Sequence, residues 1–478
     1  MELFIDGGWS NGASGQASQV RNPATGEVID TVPVGTAVDA DHAIRSSAAA
    51  FAVWRQLPTA RRAALQHAAA AAVREHGEDL ARLLTLELGR PLPGSRVEVE
   101  RTADLLDYFA EEGLRVCGEI PMINEPNERV LVVKEPVGVV IAIAPFNYPL
   151  TLLTFKLGAA LVTGCTVVAK PASATPLTTL RLAELFHGVG FPPGVFNVVT
   201  GSGSELGRAL VEHPLPRKVA FTGSSSAGKR IAAMAAATNK RVTLEMGGQS
   251  PAILCRDADL DSAVPALVRH AYANSGQFCY RVNRMYAARE VYATFLDRFT
   301  AGASSLRLGN GLVAGCDLGP MVNEEIFRTS EEHVADALAK GGRLTAGGSR
   351  LTGGEYDLGY FFPPTVIADT TAQMKIMREE TFGPVVGVMP FEDLSDAVEQ
   401  SNATPYGLAG YVFSQDVGVA LRTAEKLEAG SVWVNDIHRS YNMVPFGGYK
   451  ESGLGREKSR HGLDEYLELK TVYLALGD

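Results

Sequence analysis

The pattern of apolar and polar positions changes character near residue 128. Before it, residues 38–116 are dominated by Ala, Leu, Arg and Glu, with prolines at 58, 91 and 93, and predict a run of helices. After it, ERVLVVKEP (128–136) alternates as a strand does. VGVVIAIAP (137–145), CTVVAKP (165–171), NVVTG (197–201) and KVAFTG (218–223) are short β-branched apolar runs. Segments 152–163, 176–188 and 204–211 between them read as helices. Fully apolar strands alternating with helices predict a parallel sheet covered on both faces. From about residue 250 the rhythm resumes, with strands expected at 251–255, 283–287, 364–369, 385–391, 409–414 and 430–435. No fixed period relates the two halves, so a second α/β domain is expected rather than a repeat.

One apolar stretch, GVVIAIAPFNYPLTLLTFKLGAALVTGCTVVAK (138–170), is long enough to raise a membrane span. Pro145, Asn147, Pro149 and Lys156 interrupt it, and no basic flank fixes an orientation. A buried strand–loop–helix–strand is the expectation, with no membrane partner. The 478 residues are too many for one core, and 46% apolar with 21% charged residues is a soluble composition. A net charge of −10 argues against nucleic acid, whose phosphates need a basic face. Five scattered cysteines without CxxC pairs or Cys/His spacing predict reduced thiols and no metal site. The N-terminus MELFIDGGWSNG does not read as a secretory leader, and a cytoplasmic location is expected.

VAFTGSSSAGKRIAAMAA (219–236) predicts a strand, a Gly/Ser turn and a helix. Gly223 to Lys229 spells G-x-x-x-x-G-K, but Arg230 stands where a P-loop carries the magnesium-binding hydroxyl. A nucleotide hydrolase is therefore a weaker alternative. The helix N-terminus, capped by Ser224, can still receive a phosphate. Neither this turn nor GSGSELG (201–207) matches the G-x-G-x-x-G fingerprint.

A set of ordered motifs carries the chemistry: APFNYP (144–149), VVAKPAS (167–173), LEMGGQSP (244–251), NSGQFC (274–279), EETFGPV (379–385) and PFGGYKESGLGRE (445–457). Together they resemble the NAD(P)-dependent aldehyde dehydrogenase superfamily of the hydrolytic, non-acylating type, over nearly the whole chain. The resemblance implies Cys279 as nucleophile, Asn147 with the Cys279 backbone N–H as oxyanion donors, and Glu245 as general base. Taken singly, a buried cysteine is more often structural, and an asparagine between aromatics is more often a turn former. Cys117, Cys165, Cys255 and Cys316 keep that structural reading. The Glu245 position also argues against transfer of the acyl group to CoA.

The same resemblance puts Lys170 and Ser173 at the adenosine ribose, and Gly223 and Ser224 at the pyrophosphate. Gly248 leaves room for the cofactor, Glu380 holds the nicotinamide ribose, and Phe382 packs near the nicotinamide. NAD-preferring relatives carry a glutamate where Ser173 stands. Its absence, with Lys156 or Arg208 nearby, favours NADP, with NAD still open. Phe146, Phe155, Phe278, Tyr280, Tyr441 and Phe446 are expected to wall an apolar tunnel for an aliphatic or aromatic aldehyde. Succinate semialdehyde dehydrogenases are the alternative; two positions that hold carboxylate-binding arginines in them are Ala273 and Phe155 here. The role of Arg281 is left open.

The resemblance also implies an architecture of two doubly wound, Rossmann-like α/β domains plus a small β oligomerisation element. Residues 1–113 and 136–247 are expected to bind cofactor and 248–446 to form the catalytic domain. Segments 114–135 and 447–478 are expected to join copies into a homodimer or homotetramer, since YLELKTVYLAL alternates as an unpaired terminal strand.

Overall fold

The structure, a computed structural model, describes residues 1–437 and 439–476. Two sheets with parallel cores organise it. In the first, Phe196–Val198, Thr166–Lys170, Val139–Ile143, Lys218–Thr222 and Arg241–Glu245 run parallel in that spatial order. Their order along the chain is third, second, first, fourth, fifth, so the winding reverses between Val139–Ile143 and Lys218–Thr222. A doubly wound sheet opens a crevice at such a reversal, beyond the carboxyl ends of its strands. The loops beginning at Ala144 and Gly223 flank that crevice.

In the second sheet, Thr365–Ala368, Val385–Phe391, Val282–Ala288, Ser250–Leu254, Ala409–Phe413 and Ser431–Val434 are parallel neighbours. Arg343–Ala346 closes one edge antiparallel. The expected two doubly wound α/β units are therefore present. The predicted helical region comprises Ala37–Trp54, Thr59–Glu75, Gly77–Leu88 and Leu92–Gly113. The first opens on a capping box: the Thr36 hydroxyl accepts from Val38 N–H and the Asp39 carboxylate from Thr36 N–H.

The apolar stretch at 138–170 forms the strand Val139–Ile143, a loop, the wholly buried helix Pro149–Thr163 and the strand Thr166–Lys170. Among the described residues no helix is long and apolar enough to cross a membrane. Strands were missed where they are short or half-exposed. Leu3–Ile5 and Gly8–Ser10, three residues each, form a hairpin added to the first sheet, too brief to show a period. Arg241–Glu245 begins exposed and ends buried, and its pairing with Lys218–Thr222 decides it.

Glu128–Pro136 pairs antiparallel with Leu467–Ala475 in a separate two-stranded ribbon, registered from Leu467 against Pro136 to Ala475 against Glu128. Leu469 and Tyr473 on this ribbon are exposed.

Candidate active site

The cysteine loop leads into the strand Val282–Ala288 by an unusual backbone. Asn274 (φ 50°), Ser275 (φ 55°) and Gly276 (φ 76°) are consecutive left-handed residues. For the first two, L side chains make this conformation costly, and strain of this kind collects at functional sites. At Gly276 a Cβ would stand 2.4 Å from the Gly383 carbonyl oxygen, so only glycine fits. The loop is tied down by its own side chains. The Ser275 hydroxyl donates to Gly319 O at 2.7 Å, and Asn274 Nδ2 donates to both Asn147 O and Gln277 O at 3.2 Å.

Asn147 comes from the other sheet, in the loop after Val139–Ile143. Its Nδ2 donates to Gln277 O at 3.0 Å, which joins the two loops across the crevice. The amide carries a second N–H, and its Oδ1 is buried without a partner. Asn147 and Cys279 line one pocket. Cys279 is buried, and burial, then the charges of Glu245 and Glu380, push its thiol well above the usual range.

Glu245 ends the strand Arg241–Glu245, and one of its carboxylate oxygens is buried without a hydrogen bond. Burial and the nearby Glu457 charge push its pKa well up, opposed by Lys156 and Arg456. Glu457 itself is held by the Lys156 ammonium, which also donates to the Thr222 hydroxyl. Lys156 is therefore committed in the core, and the expectation that it assists a cofactor phosphate is corrected. Arg208, the other candidate, is exposed and paired with Glu212.

On the cofactor side, Lys170 is buried and its ammonium donates to Pro171 O at 3.2 Å. No carboxylate pairs with it among the described residues, and burial pushes its pKa down to about 8. The exposed Ser173 hydroxyl donates to Gly201 O at 3.3 Å. Gly223 and Ser224 form the turn at the crevice; Gly223 N–H donates to Glu245 O, and the Ser224 hydroxyl caps the following helix on Ala227 N–H. Lys229, the lysine of the P-loop-like lettering, is exposed and pairs with Glu451 at 2.7 Å, so nothing supports a phosphate-gripping role.

Glu380 accepts from Gly248 N–H at 2.9 Å, and burial raises its pKa to about 7. A Cβ on Gly248 would stand 2.3 Å from Cys279 O, so this glycine is needed by the cysteine loop itself. Phe382, at φ 54°, meets the Phe146 ring edge-on at 5.8 Å. A dinucleotide fits these residues: a buried cation without a carboxylate partner, a glycine turn at the reversal point and the half-buried Glu380 carboxylate.

The pocket beside Cys279 is walled by Leu152, Phe155, Phe278, Tyr280 and Phe446, as the aromatic pattern suggests. Two expected members are corrected. Phe146 packs against Phe382 outside this pocket, and Tyr441 is 55% exposed. Arg101, Tyr148, Thr151, Ser440 and Lys458 also line it, and sequence reasoning missed them. Arg101 lies one turn after the buried Glu98 in Leu92–Gly113, a cation on a buried stripe and the one available signal. Lys458 sits in the charged run GREKSRHG, which reads as surface.

Arg281 acquires a role. Fully buried, it donates to Ala271 O at 3.2 Å and Val385 O at 2.8 Å, binding the end of the cysteine loop to a helix and to the neighbouring strand. Tyr411 adds a third tie, its hydroxyl donating to Tyr280 O at 2.8 Å.

Comparison with known proteins agrees with this geometry. The model described as "Aldehyde dehydrogenase family" matches residues 9–472. A 3-sulfolactaldehyde dehydrogenase of Pseudomonas putida is 45% identical, covering 99% of this chain and 96% of the relative. The NADP(+) succinate-semialdehyde dehydrogenase GabD of Escherichia coli K12 is 41% identical, covering 100% and 98%. The crystal structure of a betaine aldehyde dehydrogenase from Staphylococcus aureus in complex with NAD+ superposes with a TM-score of 0.98 at 39% identity, covering 100% of this chain and 95% of that one. Matched from end to end in sequence and in fold, the chain belongs to the aldehyde dehydrogenase family and is an NAD(P)-dependent aldehyde dehydrogenase.

Proposed function

We propose that oxidation of the aldehyde runs through a thioester on Cys279 that Glu245 helps to hydrolyse. The observation that carries this reading is the convergence of Cys279 and Asn147 on one pocket, with a buried carboxylate oxygen of Glu245 left unbonded nearby. The Cys279 thiol gives up its proton, with Glu245 as the acceptor at hand. Its Sγ then attacks the carbonyl carbon and forms a thiohemiacetal alkoxide. The free N–H of Asn147 Nδ2 and the Cys279 backbone N–H stabilise that oxygen. A nicotinamide held beside Phe382 would supply the acceptor for the aldehydic hydrogen, which leaves the alkoxide carbon as hydride. Glu245, having released the thiol proton to solvent, takes a proton from the water that attacks the thioester carbon; the C–S bond breaks, the acid leaves, and Glu245 returns that proton to the cysteine sulfur.

Lys170 and Ser173 would hold the adenosine ribose, Gly223 and Ser224 the pyrophosphate, and Glu380 the nicotinamide ribose beside Phe382. NADP is favoured, because the buried Lys170 lacks an acidic partner and a 2′-phosphate would supply one. A clear preference for NAD in kcat/KM would reverse that assignment. Residues 1–113 and 136–247 read as the cofactor domain and 248–446 as the catalytic domain. The exposed ribbon formed by 128–136 and 467–475 suits a homo-oligomer in the cytoplasm.

For the substrate, aromatic walls suit an aliphatic or aromatic chain. One observation favours the second reading, a semialdehyde: Arg101 and Lys458 share the pocket with those walls. The relatives named for 3-sulfolactaldehyde and succinate semialdehyde act on aldehydes bearing an acid group.

The test is paired. Cys279→Ala should abolish formation of reduced nicotinamide. Glu245→Gln should accumulate an acyl-enzyme, seen as a mass increase on Cys279 after aldehyde and cofactor are added. Turnover persisting in Cys279→Ala would overturn the mechanism.

A further inference from the structure

Two cations on the wall of the pocket face no carboxylate among the described residues. Lys458 is 3% exposed, and its ammonium donates to the Ser440 hydroxyl at 2.6 Å and lies 5.9 Å from the centre of the Phe155 ring. Arg101 forms no ion pair or hydrogen bond among the described residues. Acidic neighbours in sequence are turned elsewhere. Glu98 binds Arg90 and the N–H groups of Leu150 and Thr151, while Glu100 and Asp104 bind Arg74. Glu457, immediately before Lys458, is taken by Lys156. No carboxylate is among the described residues lining this pocket.

The backbone is bent to hold the lysine inward. Lys458 has φ 62° and ψ 174°, a region that is essentially glycine's, and Ser459 follows at φ 54°. A lysine forced into a buried, aromatic, carboxylate-free wall is unfavourable unless a ligand supplies the counter-charge. Burial, with Arg101 beside it, pushes its pKa down to about 7. An anion arriving there would restore the charge.

We propose that Arg101, Lys458 and Ser440 form an oxyanion-binding subsite that holds a carboxylate, sulfonate or phosphate at the end of the aldehyde remote from its carbonyl. This rests on the reading of Cys279 as the attacking residue, since both cations line the pocket that contains it. Leu152, Phe155 and Phe278 then enclose the chain between the two ends. The guanidinium presents a planar pair of donors, and the ammonium and hydroxyl complete the coordination of a charged oxygen.

The test compares aldehydes with the same three-carbon aldehyde chain: succinate semialdehyde, 3-oxopropane-1-sulfonate, 3-oxopropyl phosphate (longer by its ester oxygen) and uncharged butanal. The wild-type enzyme should prefer at least one anionic substrate over butanal by about a hundredfold in kcat/KM, carried mainly by KM. The three anions distinguish which oxyanion the subsite takes. In Arg101→Met and in Lys458→Met that preference should shrink by roughly tenfold or more. Arg101 is half-exposed, so its variant decides the matter if the buried Lys458 variant does not fold. Equal kcat/KM for anionic and uncharged aldehydes, or a preference unchanged in Arg101→Met, overturns the subsite and leaves the Cys279 mechanism standing. Turnover that persists without Cys279 overturns the mechanism instead.

Discussion

At the scale of the residue, the pair Cys279 and Glu245 sets the pH behaviour. Burial raises both groups well above their ordinary pKa values, and each carboxylate near the thiol raises it further. Both must lose a proton to act, one as nucleophile and one as base. Activity should therefore rise with pH, with kcat/KM still climbing above the ordinary thiol pKa of about 8.5. In Glu245→Gln the residual acylation rate should follow a single, thiol-controlled limb, measured as the pre-steady-state burst across the same range. A burst independent of pH in both proteins would contradict this account. The residues that act were legible because each falls inside an ordered motif. Arg281 was not legible, since nothing in CYRVN shows that its guanidinium reaches the carbonyls of Ala271 and Val385, 10 and 104 positions away.

At the scale of the element, the helix Pro149–Thr163 matters most, because it starts two residues after Asn147. Its first N–H groups lack intrahelical partners, and Pro149 and Tyr148 provide no side-chain cap. The Glu98 carboxylate, from the helix Leu92–Gly113, does this instead at Leu150 and Thr151, at 3.0 and 3.2 Å, while also pairing with buried Arg90. Glu98→Ala would uncap the helix and leave Arg90 as an unpaired buried charge. A loss of about 3–5 kcal/mol is expected in urea unfolding. The same variant should lose kcat, as the Asn147 amide drifts from the oxyanion. A variant with the wild-type unfolding midpoint would show that water reaches Arg90 and that the cap is dispensable. Pattern alone predicted this helix and its neighbours. It did not reveal that a carboxylate 52 residues away fixes where one of them begins.

At the scale of the whole molecule, the ribbon of 128–136 with 467–475 presents exposed Leu469 and Tyr473, and the outer edge of Leu467–Ala475 pairs with no further strand among the described residues. Unpaired edges of this kind seek another chain. Light scattering on a size-exclusion column should give a dimer or tetramer for the wild type. Leu469→Glu with Tyr473→Glu should shift that mass toward the monomer at low micromolar concentration. An oligomer of unchanged mass in the double variant would place the interface elsewhere. The two sheets themselves were readable from strand rhythm, because buried parallel strands are apolar throughout and announce themselves. The antiparallel edge strands Gly8–Ser10 and Arg343–Ala346 were not, because their pairing rather than their composition makes them strands.

The sequence by itself determined the α/β class, the buried fate of 138–170, and the family, with Cys279, Glu245 and Asn147 singled out by motif. Periodicity and motif spacing are local properties, and local properties survive in a linear string. Tertiary structure alone decided which charges meet. Lys156 was withdrawn from the cofactor by Glu457, 301 positions along the chain, and Phe146 was turned toward Phe382. Arg101 and Lys458, one from an early helix and one from the last charged run, were brought to the wall of one pocket. Charge recognition depends on distances of a few ångströms between remote segments, and only the packed chain sets those distances.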